Sequence, residues 1–190
     1  MATLDEHELP CLYLLWPDHP LSEPSRGELP AGYVSRPYAA GDDAALRRLL
    51  ELEGWAMTDE EWQDYKDRIL PDGLFVIVHT GTGAVVATAG AVHNPNAGRG
   101  YFPFGGELAY LVVDPGHRGK RLGHHVSAMV VGRFISAGYR SIRVCVQGFR
   151  SAAIRTYLRL GFVPLLNTEE VRLRWRRIHE QVGWPFEPER

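Results

Sequence analysis

The chain has 190 residues, of which 45% are hydrophobic and 23% are charged, and its formal net charge is −2. This composition is typical of a soluble globular protein with one domain and a sizeable core. The small net charge gives no reason to expect nucleic acid or an acidic membrane surface as a partner. No run approaches the ~18 apolar residues that a membrane span needs.

Cysteine usage and the N-terminus bear on the compartment. Cys11 and Cys145 are the only cysteines and lie far apart, so they indicate neither a disulfide framework nor a cysteine-based metal site. A reducing cytoplasm fits this usage, and we expect a cytoplasmic protein. Residues 1–8 are acidic rather than rich in lysine and arginine, which argues against a signal peptide.

Residues 1–30 are rich in proline and acidic residues and contain one apolar island, residues 12–16. We interpret them as a partly ordered extension whose island packs on the main domain as a strand or an edge segment. A dimer arm or a lid is the alternative. A short strand is predicted over 33–38, where Pro37 confines it to an edge or to a strand end.

Two helices and a hairpin follow. An N-cap signal at 41–43 predicts a helix over 44–54, and a capping box at 58–61 starts a second helix that ends near Arg68. Residues 71–73 (Pro-Asp-Gly) are predicted to break this helix. The β-rich runs 74–79 and 84–92, joined by a glycine-containing turn at 80–83, predict a hairpin. Residues 94–100 are predicted to be a loop.

The second half alternates strands and helices. Strands are predicted over 108–113 and 141–146, and helices from 123 to 138 and over 151–160. Strand material follows residues 161–164, and the alternation of Val171, Leu173 and Trp175 predicts a final strand over 171–175. The order β-α-α-β-β-β-α-β-α-β-β predicts an α/β (α+β) fold with a mixed, mostly antiparallel central sheet flanked by helices.

Residues 107–126 combine a buried strand, a Pro-Gly turn and a basic loop that opens a helix. A helix N-terminus has unpaired backbone N–H groups and about half a positive charge, which favours an anion. Arg118, Lys120 and Arg121 add positive charge, while Gly119 and Gly123 leave room for a close ligand. The loop therefore predicts a phosphate-bearing ligand, although the Walker A and dinucleotide patterns are both absent.

The arrangement strand, Asp-Pro, x-x-Arg-Gly-Lys-x-Leu-Gly, helix resembles the acyl-CoA loop of the GNAT superfamily of N-acetyltransferases. That pattern is Gln/Arg-x-x-Gly-x-Gly/Ala and falls on residues 118–123, with Arg121 in place of the middle glycine. Residues 150–162 resemble the later motif Asn-x-x-Ala-x-x-x-Tyr-x-x-x-Gly-Phe, with Arg150 in place of the asparagine. The residues of that motif that match are Ala153, Tyr157, Gly161 and Phe162.

The resemblance implies an acyl-CoA N-acyltransferase domain over residues 31–176, between the extension 1–30 and a tail over 177–190. It implies acetyl-CoA as co-substrate, no metal, and direct attack by a primary amine of a small molecule or a peptide. A non-catalytic acyl-CoA-binding sensor or interaction module of the same fold is the alternative. The partner is then a small-molecule amine, with a homodimer left open and no nucleic acid or membrane.

The resemblance also implies roles for individual residues. Tyr157 matches the general acid that protonates the coenzyme A thiolate, the alternative being that it packs under the pantetheine. Glu107 is a candidate general base, acting directly or through water, or a strand-end carboxylate without a role. The implied donor-binding residues are Leu111, Val112 and Val113 through their backbone N–H groups, Arg118, Gly119, Lys120, Arg121, Leu122, Gly123 and Ser151.

Two geometric expectations accompany these roles. The strand must be splayed from its neighbour, commonly by a bulge, to leave backbone donors open. Residues 107, 109, 111 and 113 are expected to share one face by period-2 alternation. The acceptor site is expected between residues 53–57 and 94–104, including Tyr101, Phe102 and Phe104, although core packing also explains these aromatics.

Other polar residues receive weaker hypotheses. Tyr110 and His93 are secondary candidates for the base, and a solvated histidine is the alternative for His93. His117, His124 and His125 lie near the basic loop, which raises the question of a metal site. His124 and His125 are adjacent on a helix and point about 100° apart, so we do not expect them to converge on a metal ion.

Overall fold

The structure is a computed structural model that describes residue 6 and residues 9–17, 22–93 and 105–187. These residues form seven strands: β1 (Leu12–Leu15), β2 (Tyr33–Pro37), β3 (Ile69–His79), β4 (Ala84–His93), β5 (Gly105–Val113), β6 (Ser141–Val146) and β7 (Val163–Pro164). They also form five α-helices: α1 (Asp43–Glu51), α2 (Asp59–Asp67), α3 (Leu122–Ser136), α4 (Ser151–Leu160) and α5 (Glu169–Val182).

All seven strands belong to one sheet in the order β2-β3-β4-β5-β6-β1-β7. Neighbouring strands run antiparallel except for β5 and β6, which are parallel. The connection between these two strands is α3, as a parallel pair requires. The predicted mixed, mostly antiparallel sheet is therefore confirmed.

Helices cover both faces of the sheet. On one face, α1 and α2 pack against β3, β4 and β5 through apolar residues at helical spacing: Leu46, Leu49, Leu50, Trp62 and Tyr65. On the other face, α3, α4 and α5 bury a larger set, which includes Val126, Val130, Phe134, Ile154, Leu158, Trp175 and Ile178. Full burial of one such aliphatic side chain stabilises the fold by about 1.5–3 kcal/mol.

A capping box fixes the start of α2. Thr58 caps α2, since its hydroxyl accepts from the Glu61 N–H at 3.2 Å while the Glu61 carboxylate accepts from the Thr58 N–H at 2.8 Å. The predicted capping box is therefore confirmed. Fixing the start of α2 also fixes the short connection before it, which contains Glu53 and Trp55.

Strand β1 lies inside the sheet. It pairs antiparallel with β6 on one side, where Tyr13 faces Cys145, and with β7 on the other, where Leu15 faces Val163. The apolar island of the N-terminal extension is thus a strand, as predicted, but it is not an edge segment. Leu12 and Leu14 are almost fully buried because α4 and α5 cover that face.

The final strand predicted over 171–175 is wrong, because these residues belong to α5. Thr168 caps this helix by accepting from the Val171 N–H at 3.2 Å. The buried residues are Trp175, Ile178 and Val182, which recur at helical spacing, whereas Leu173 is exposed. The alternation of three apolar residues suggested a strand, but the longer helical period decides the structure.

The helix break predicted at residues 71–73 is also wrong in place. Helix α2 ends at Asp67, and β3 begins at Ile69 and includes residues 71–73. The pairing with β4 jumps from Ile69 opposite Val92 to Leu74 opposite Gly90, so the Pro-Asp-Gly segment forms an irregularity within the strand. Within the described ranges, no helix has the length and apolar character that crossing a membrane requires.

Candidate active site

Strands β5 and β6 diverge and open a split in the sheet. Their parallel pairing covers only Gly105–Glu107 on β5, opposite Ser141–Arg143 on β6. Both strands continue beyond these residues, to Val113 and to Val146, without further pairing to each other along their described length. The far part of each strand therefore has backbone groups that face the split.

A bulge in β5 accompanies this divergence. Ala109 faces Gly90 and Val112 faces Thr88, so Tyr110 and Leu111 together oppose one residue of β4. Tyr110 has a φ of 51°, a left-handed conformation that costs a non-glycine residue about 1–2 kcal/mol. The splayed, bulged strand that the proposed chemistry needs is thus present in the structure.

The bulge overturns the expected alternation along β5. Ala109 packs with the α1–α2 side of the sheet, whereas Leu111 and Val113 pack with the α3–α4 side. The expectation that residues 107, 109, 111 and 113 share one face is wrong, because the extra residue at the bulge shifts the period-2 pattern by one position. Glu107 and Leu111 consequently approach the split from opposite faces.

A cavity of about 480 Å³ lies at the split, and residues from both faces of the sheet line it. It takes side chains from β5, β6, α2 and α4, and also from the α1–α2 connection and the residue before β1. Its lining residues are Cys11, Trp55, Tyr65, Arg68, Val92, Glu107, Leu108, Ala109, Tyr110, Leu111, Arg143, Cys145, Val146, Gln147, Arg150, Ala153 and Tyr157. Two residues predicted as catalytic, Glu107 and Tyr157, therefore share one cavity.

Tyr157 lines this cavity from α4. Its side chain is 4% exposed, and burial raises the pKa of its hydroxyl, opposed by the charge of Arg150 and reinforced by Cys145 and Glu107. Its hydroxyl has no hydrogen-bond partner among the described residues. The phenol thus keeps its proton at neutral pH and can donate it to a ligand atom in the cavity.

Glu107 is fixed by an ion pair across the paired end of the split. Its Oε2 accepts from Nε of Arg143 at 2.8 Å, and both side chains are largely buried. The guanidinium of Arg143 in turn lies over the ring of Tyr13, 5.2 Å from its centre. Glu107 is therefore not a free strand-end carboxylate, since Arg143 holds it in one orientation against the cavity.

The backbone of Val113 faces the split. The Asp114 N–H donates to the Val86 carbonyl at 2.8 Å, so the residue before it must direct its N–H and carbonyl away from β4. By the same alternation the backbone of Val112 is turned toward Thr88 of β4. Of these two predicted donors, the geometry leaves the N–H of Val113 open to a ligand.

We call the loop from Arg118 to Gly123, at the N-terminus of α3, the cradle, because its geometry suits an anion. Gly119 and Arg121 have left-handed φ values of 79° and 61°, and no side chain caps the helix. In the described structure, the backbone N–H groups of residues 120–123 donate to no other residue. Arg121 thus keeps the left-handed conformation that favours the glycine of the resembled pattern.

The side chains of this loop divide into two groups. Arg118, Lys120 and Arg121 are exposed, whereas Leu122 is buried in the core below the loop. A Cβ added at Gly123 would meet the Val113 side chain at 3.4 Å, an ordinary contact. Ser151 is the first residue of α4 and lies outside the cavity lining.

Aromatic rings form the wall of the cavity toward α1 and α2. The ring of Tyr110 packs edge-on against Trp55, with centres 5.3 Å apart, and against Tyr65, at 5.0 Å. Trp55 belongs to the segment that was expected to frame the acceptor. The other expected segment, with Tyr101, Phe102 and Phe104, lies outside the described residues.

The four histidines that were considered as base or metal candidates have protein partners. His93 is exposed and contacts the Tyr139 hydroxyl, while His117 Nδ1 is 2.9 Å from the Tyr33 hydroxyl. His124 and His125 contact the backbone of the segment before β2. In the described part of the chain, no group of three metal-ligating side chains lies together.

The sequence reasoning missed several cavity residues, above all those on β6. Arg143 and Cys145 on β6, and Gln147 just after it, alternate with the apolar residues Ile142, Val144 and Val146. This polar alternation on a strand could have indicated that one face of β6 borders a ligand site. Glu53 was expected only to frame the acceptor site, and its ion pairs were not predicted, since its two partners lie 65 and 97 residues away in the sequence.

Comparison with known proteins agrees with the geometry. Residues 44–162, well over half of the chain, match the acetyltransferase (GNAT) family. The chain belongs to this family. The matched residues begin in α1 and end after α4, so they include the split, the cradle and Tyr157.

The chain is similar to other acetyltransferases in sequence and in structure. A mycothiol acetyltransferase from Nocardia farcinica is 30% identical over 161 residues, which are 76% of this chain and 50% of that protein. A GCN5-related N-acetyltransferase structure from Sphaerobacter thermophilus has a TM-score of 0.65 at 21% identity, covering 83% of this chain and 50% of the other. The GNAT domain thus spans about half the length of these relatives.

A further structure, yncA from Salmonella typhimurium, was determined with its cofactor acetyl-CoA. It has a TM-score of 0.58 and 20% identity, over 68% of this chain and 79% of that one. At this identity the likeness establishes a shared GNAT fold.

Proposed function

We propose that this domain is an N-acetyltransferase that moves the acetyl group of acetyl-CoA to a primary amine of a small-molecule or peptide acceptor. One observation carries the proposal: Tyr157, whose hydroxyl has no partner among the described residues, lines a cavity at the β5–β6 split together with residues from both faces of the sheet. Donor and acceptor can then approach one reaction centre from opposite faces.

The donor fits the side of the split that ends at the cradle. The free N–H groups of residues 120–123 and the charges of Arg118, Lys120 and Arg121 would hold the diphosphate. The open backbone of Val113 would hold the pantetheine amides, with Leu111 beside them in the cavity wall. The thioester then lies between Tyr157 and Glu107.

The transfer requires three events around the thioester carbonyl. The amine nitrogen attacks the carbonyl carbon and loses a proton, which Glu107 accepts directly or through a water. A backbone N–H of the splayed strand stabilises the negative charge that develops on the carbonyl oxygen. The carbon–sulfur bond then breaks, and Tyr157 donates its proton to the departing thiolate.

The mycothiol acetyltransferase relative supports acetyl transfer as the reaction class, because its name describes an acetyltransferase. The ring system of Trp55, Tyr65 and Tyr110 supports an acceptor with an apolar or cationic portion, since such rings attract both. These features favour a small amine over a folded protein as the acceptor.

The test begins with calorimetric titration of the purified chain with acetyl-CoA, for the wild type and for Arg118→Ala. We expect saturable binding that Arg118→Ala weakens, with Arg172→Ala on α5 as a control that leaves it unchanged. An amine panel follows, in which released coenzyme A is measured by chromatography, because thiol reagents would also react with the thiols of Cys11 and Cys145.

The outcomes distinguish between the two functions considered for this fold, a transferase and a non-catalytic acyl-CoA-binding module. Coenzyme A release that depends on an added amine supports the transferase. Binding without release for any amine in a broad panel would instead support the non-catalytic acyl-CoA-binding module. Absence of acetyl-CoA binding would refute both readings.

A further inference from the structure

Glu53 holds two arginines that come from opposite sides of the split. Its Oε1 accepts from Nη2 of Arg118 at 2.6 Å, and its Oε2 accepts from Nη1 of Arg150. Nη2 of Arg150 also donates to the Glu53 carbonyl at 3.3 Å. We call these three residues the Glu53 bridge. It joins the α1–α2 connection, the loop before α3 and the start of α4.

The bridge is an ordered, partly buried assembly. The Glu53 side chain is 20% exposed and that of Arg150 is 19% exposed, so water screens this pair less than a surface pair. Nε of Arg150 donates to Gln147 at 2.7 Å, and its guanidinium lies 4.6 Å from the centre of the Trp55 ring. Each group of the bridge thus has several partners, which fix its position.

The bridge contacts a backbone group that would otherwise be open to the pantetheine of the donor. Nε of Arg118 donates to the Val113 carbonyl at 3.1 Å, and Val113 is the residue whose backbone faces the split. The same guanidinium carries the positive charge that the diphosphate needs. The described side-chain contacts of Arg118, with the Val113 carbonyl and the Glu53 carboxylate, therefore lie where the donor must bind.

We propose that Glu53 is a positioning residue that holds Arg118 and Arg150 in the donor-free domain and gives them up when acetyl-CoA binds. This inference rests on the proposed function, because it takes the donor to lie along Val113 and the cradle. The diphosphate replaces the Glu53 carboxylate as the partner of Arg118, and the pantetheine replaces Arg118 at Val113. The Glu53 carboxylate is then released beside Trp55, in the wall of the acceptor cavity.

Exchange of partners makes Glu53 a competitor of the donor. Removing its charge should therefore tighten acetyl-CoA binding, since the donor no longer has to displace a carboxylate from Arg118. We expect Glu53→Gln to lower the Kd for acetyl-CoA about tenfold at low salt, which equals ~1.4 kcal/mol. The gain should shrink as salt is raised, because screening weakens charge interactions.

The control is Asp59→Asn, which removes the same charge from another carboxylate–arginine pair, that of Asp59 with Arg47. It lies outside the bridge and the cavity lining, so we expect an unchanged Kd. A second readout is Trp55 emission in the wild type, which should change on donor binding as Arg150 leaves its ring. A Trp55→Phe variant identifies this signal among the five tryptophans.

Tighter binding by Glu53→Gln, with an unchanged Asp59→Asn control, supports the exchange. Unchanged or weaker binding by Glu53→Gln would overturn it, because Glu53 would then be neutral or would help to organise the donor site. Should Glu53→Gln fail to fold, constant Trp55 emission on donor binding to the wild type would overturn the exchange instead. Failure of all three proteins to bind acetyl-CoA would refute the proposed function itself.

Discussion

Replacing Tyr157 by phenylalanine distinguishes between two roles of this residue, that of a proton donor and that of a packing residue. The change removes one hydroxyl that has no partner among the described residues and leaves the ring, which packs against Phe162 with centres 6.0 Å apart. Because no hydrogen bond is lost, the free energy of unfolding should stay within ~0.5 kcal/mol of the wild type or rise slightly.

Unlike the free energy of unfolding, kcat should change strongly in Tyr157→Phe. A positioned general acid contributes about 10²–10⁴-fold to a rate, so we expect kcat to fall at least ~100-fold, which corresponds to ~2.7 kcal/mol of activation free energy. The Kd for acetyl-CoA should not change, since the cradle and Val113 are intact. Turnover is measured as amine-dependent coenzyme A release, and affinity by calorimetry.

The pH profile adds an independent check on Tyr157. Burial raises the pKa of its hydroxyl above the usual value of 10, so the group stays protonated throughout the neutral and mildly alkaline range. A loss of activity between pH 7 and 9 therefore cannot come from Tyr157, and its acid function should persist across that range. Tyr139→Phe, which alters a tyrosine outside the cavity lining, serves as the control. Turnover of Tyr157→Phe within twofold of the wild type would refute the acid role.

Three further predictions concern the scaffold around the site. Arg121→Gly should raise the free energy of unfolding by roughly 1 kcal/mol in urea titrations, because it relieves a left-handed φ of 61°; a loss of stability would contradict this. Gly106→Ala should lower the free energy of unfolding by about 1–3 kcal/mol, because the added Cβ would lie 2.2 Å from the Phe134 ring. Gly123→Ala is the control and should be far less destabilising, since the nearest atom to its Cβ lies at 3.4 Å. Arg36 holds the pKa of Asp42 below its usual range, so the stability from this pair is present at neutral pH and is lost as the pH falls through and below about 4. In acid titrations, the Asp42→Asn variant should therefore lose less stability over that range than the wild type. Equal losses would contradict the assignment.

The part of the fold that the sequence predicted well is the part with local signals. The strand of residues 141–146 and the helix of residues 151–160 have the predicted bounds, because apolar periodicity and flanking glycines define them within a few residues. The cradle before α3 was predicted from its charges and glycines, since a helix N-terminus and its loop are contiguous in sequence. The family resemblance rested on these same segments.

The rest depends on contacts that no local pattern contains. Residues 171–175 satisfy a strand pattern and a helix pattern equally, and only the burial of Trp175, Ile178 and Val182 under the sheet selects the helix. The bulge falls on Tyr110, a residue whose side chain disfavours the conformation it adopts, so its own propensity could not reveal it. The Glu53 bridge joins three separate segments, and such long-range charge pairs have no signature in a single sequence.

The inner position of β1 has a consequence for how the protein folds. β1 pairs with β6, about 130 residues later in the sequence, and Cys11 next to β1 forms part of the cavity wall. Closing so large a loop costs conformational entropy before the pairing repays it, and contacts of this separation slow folding. During synthesis, β1 leaves the ribosome about 130 residues before β6, so it cannot form this pairing until β6 has emerged. We expect the cavity at the β5–β6 split to be among the last regions to form, because β1 and β6 both contribute to its surroundings.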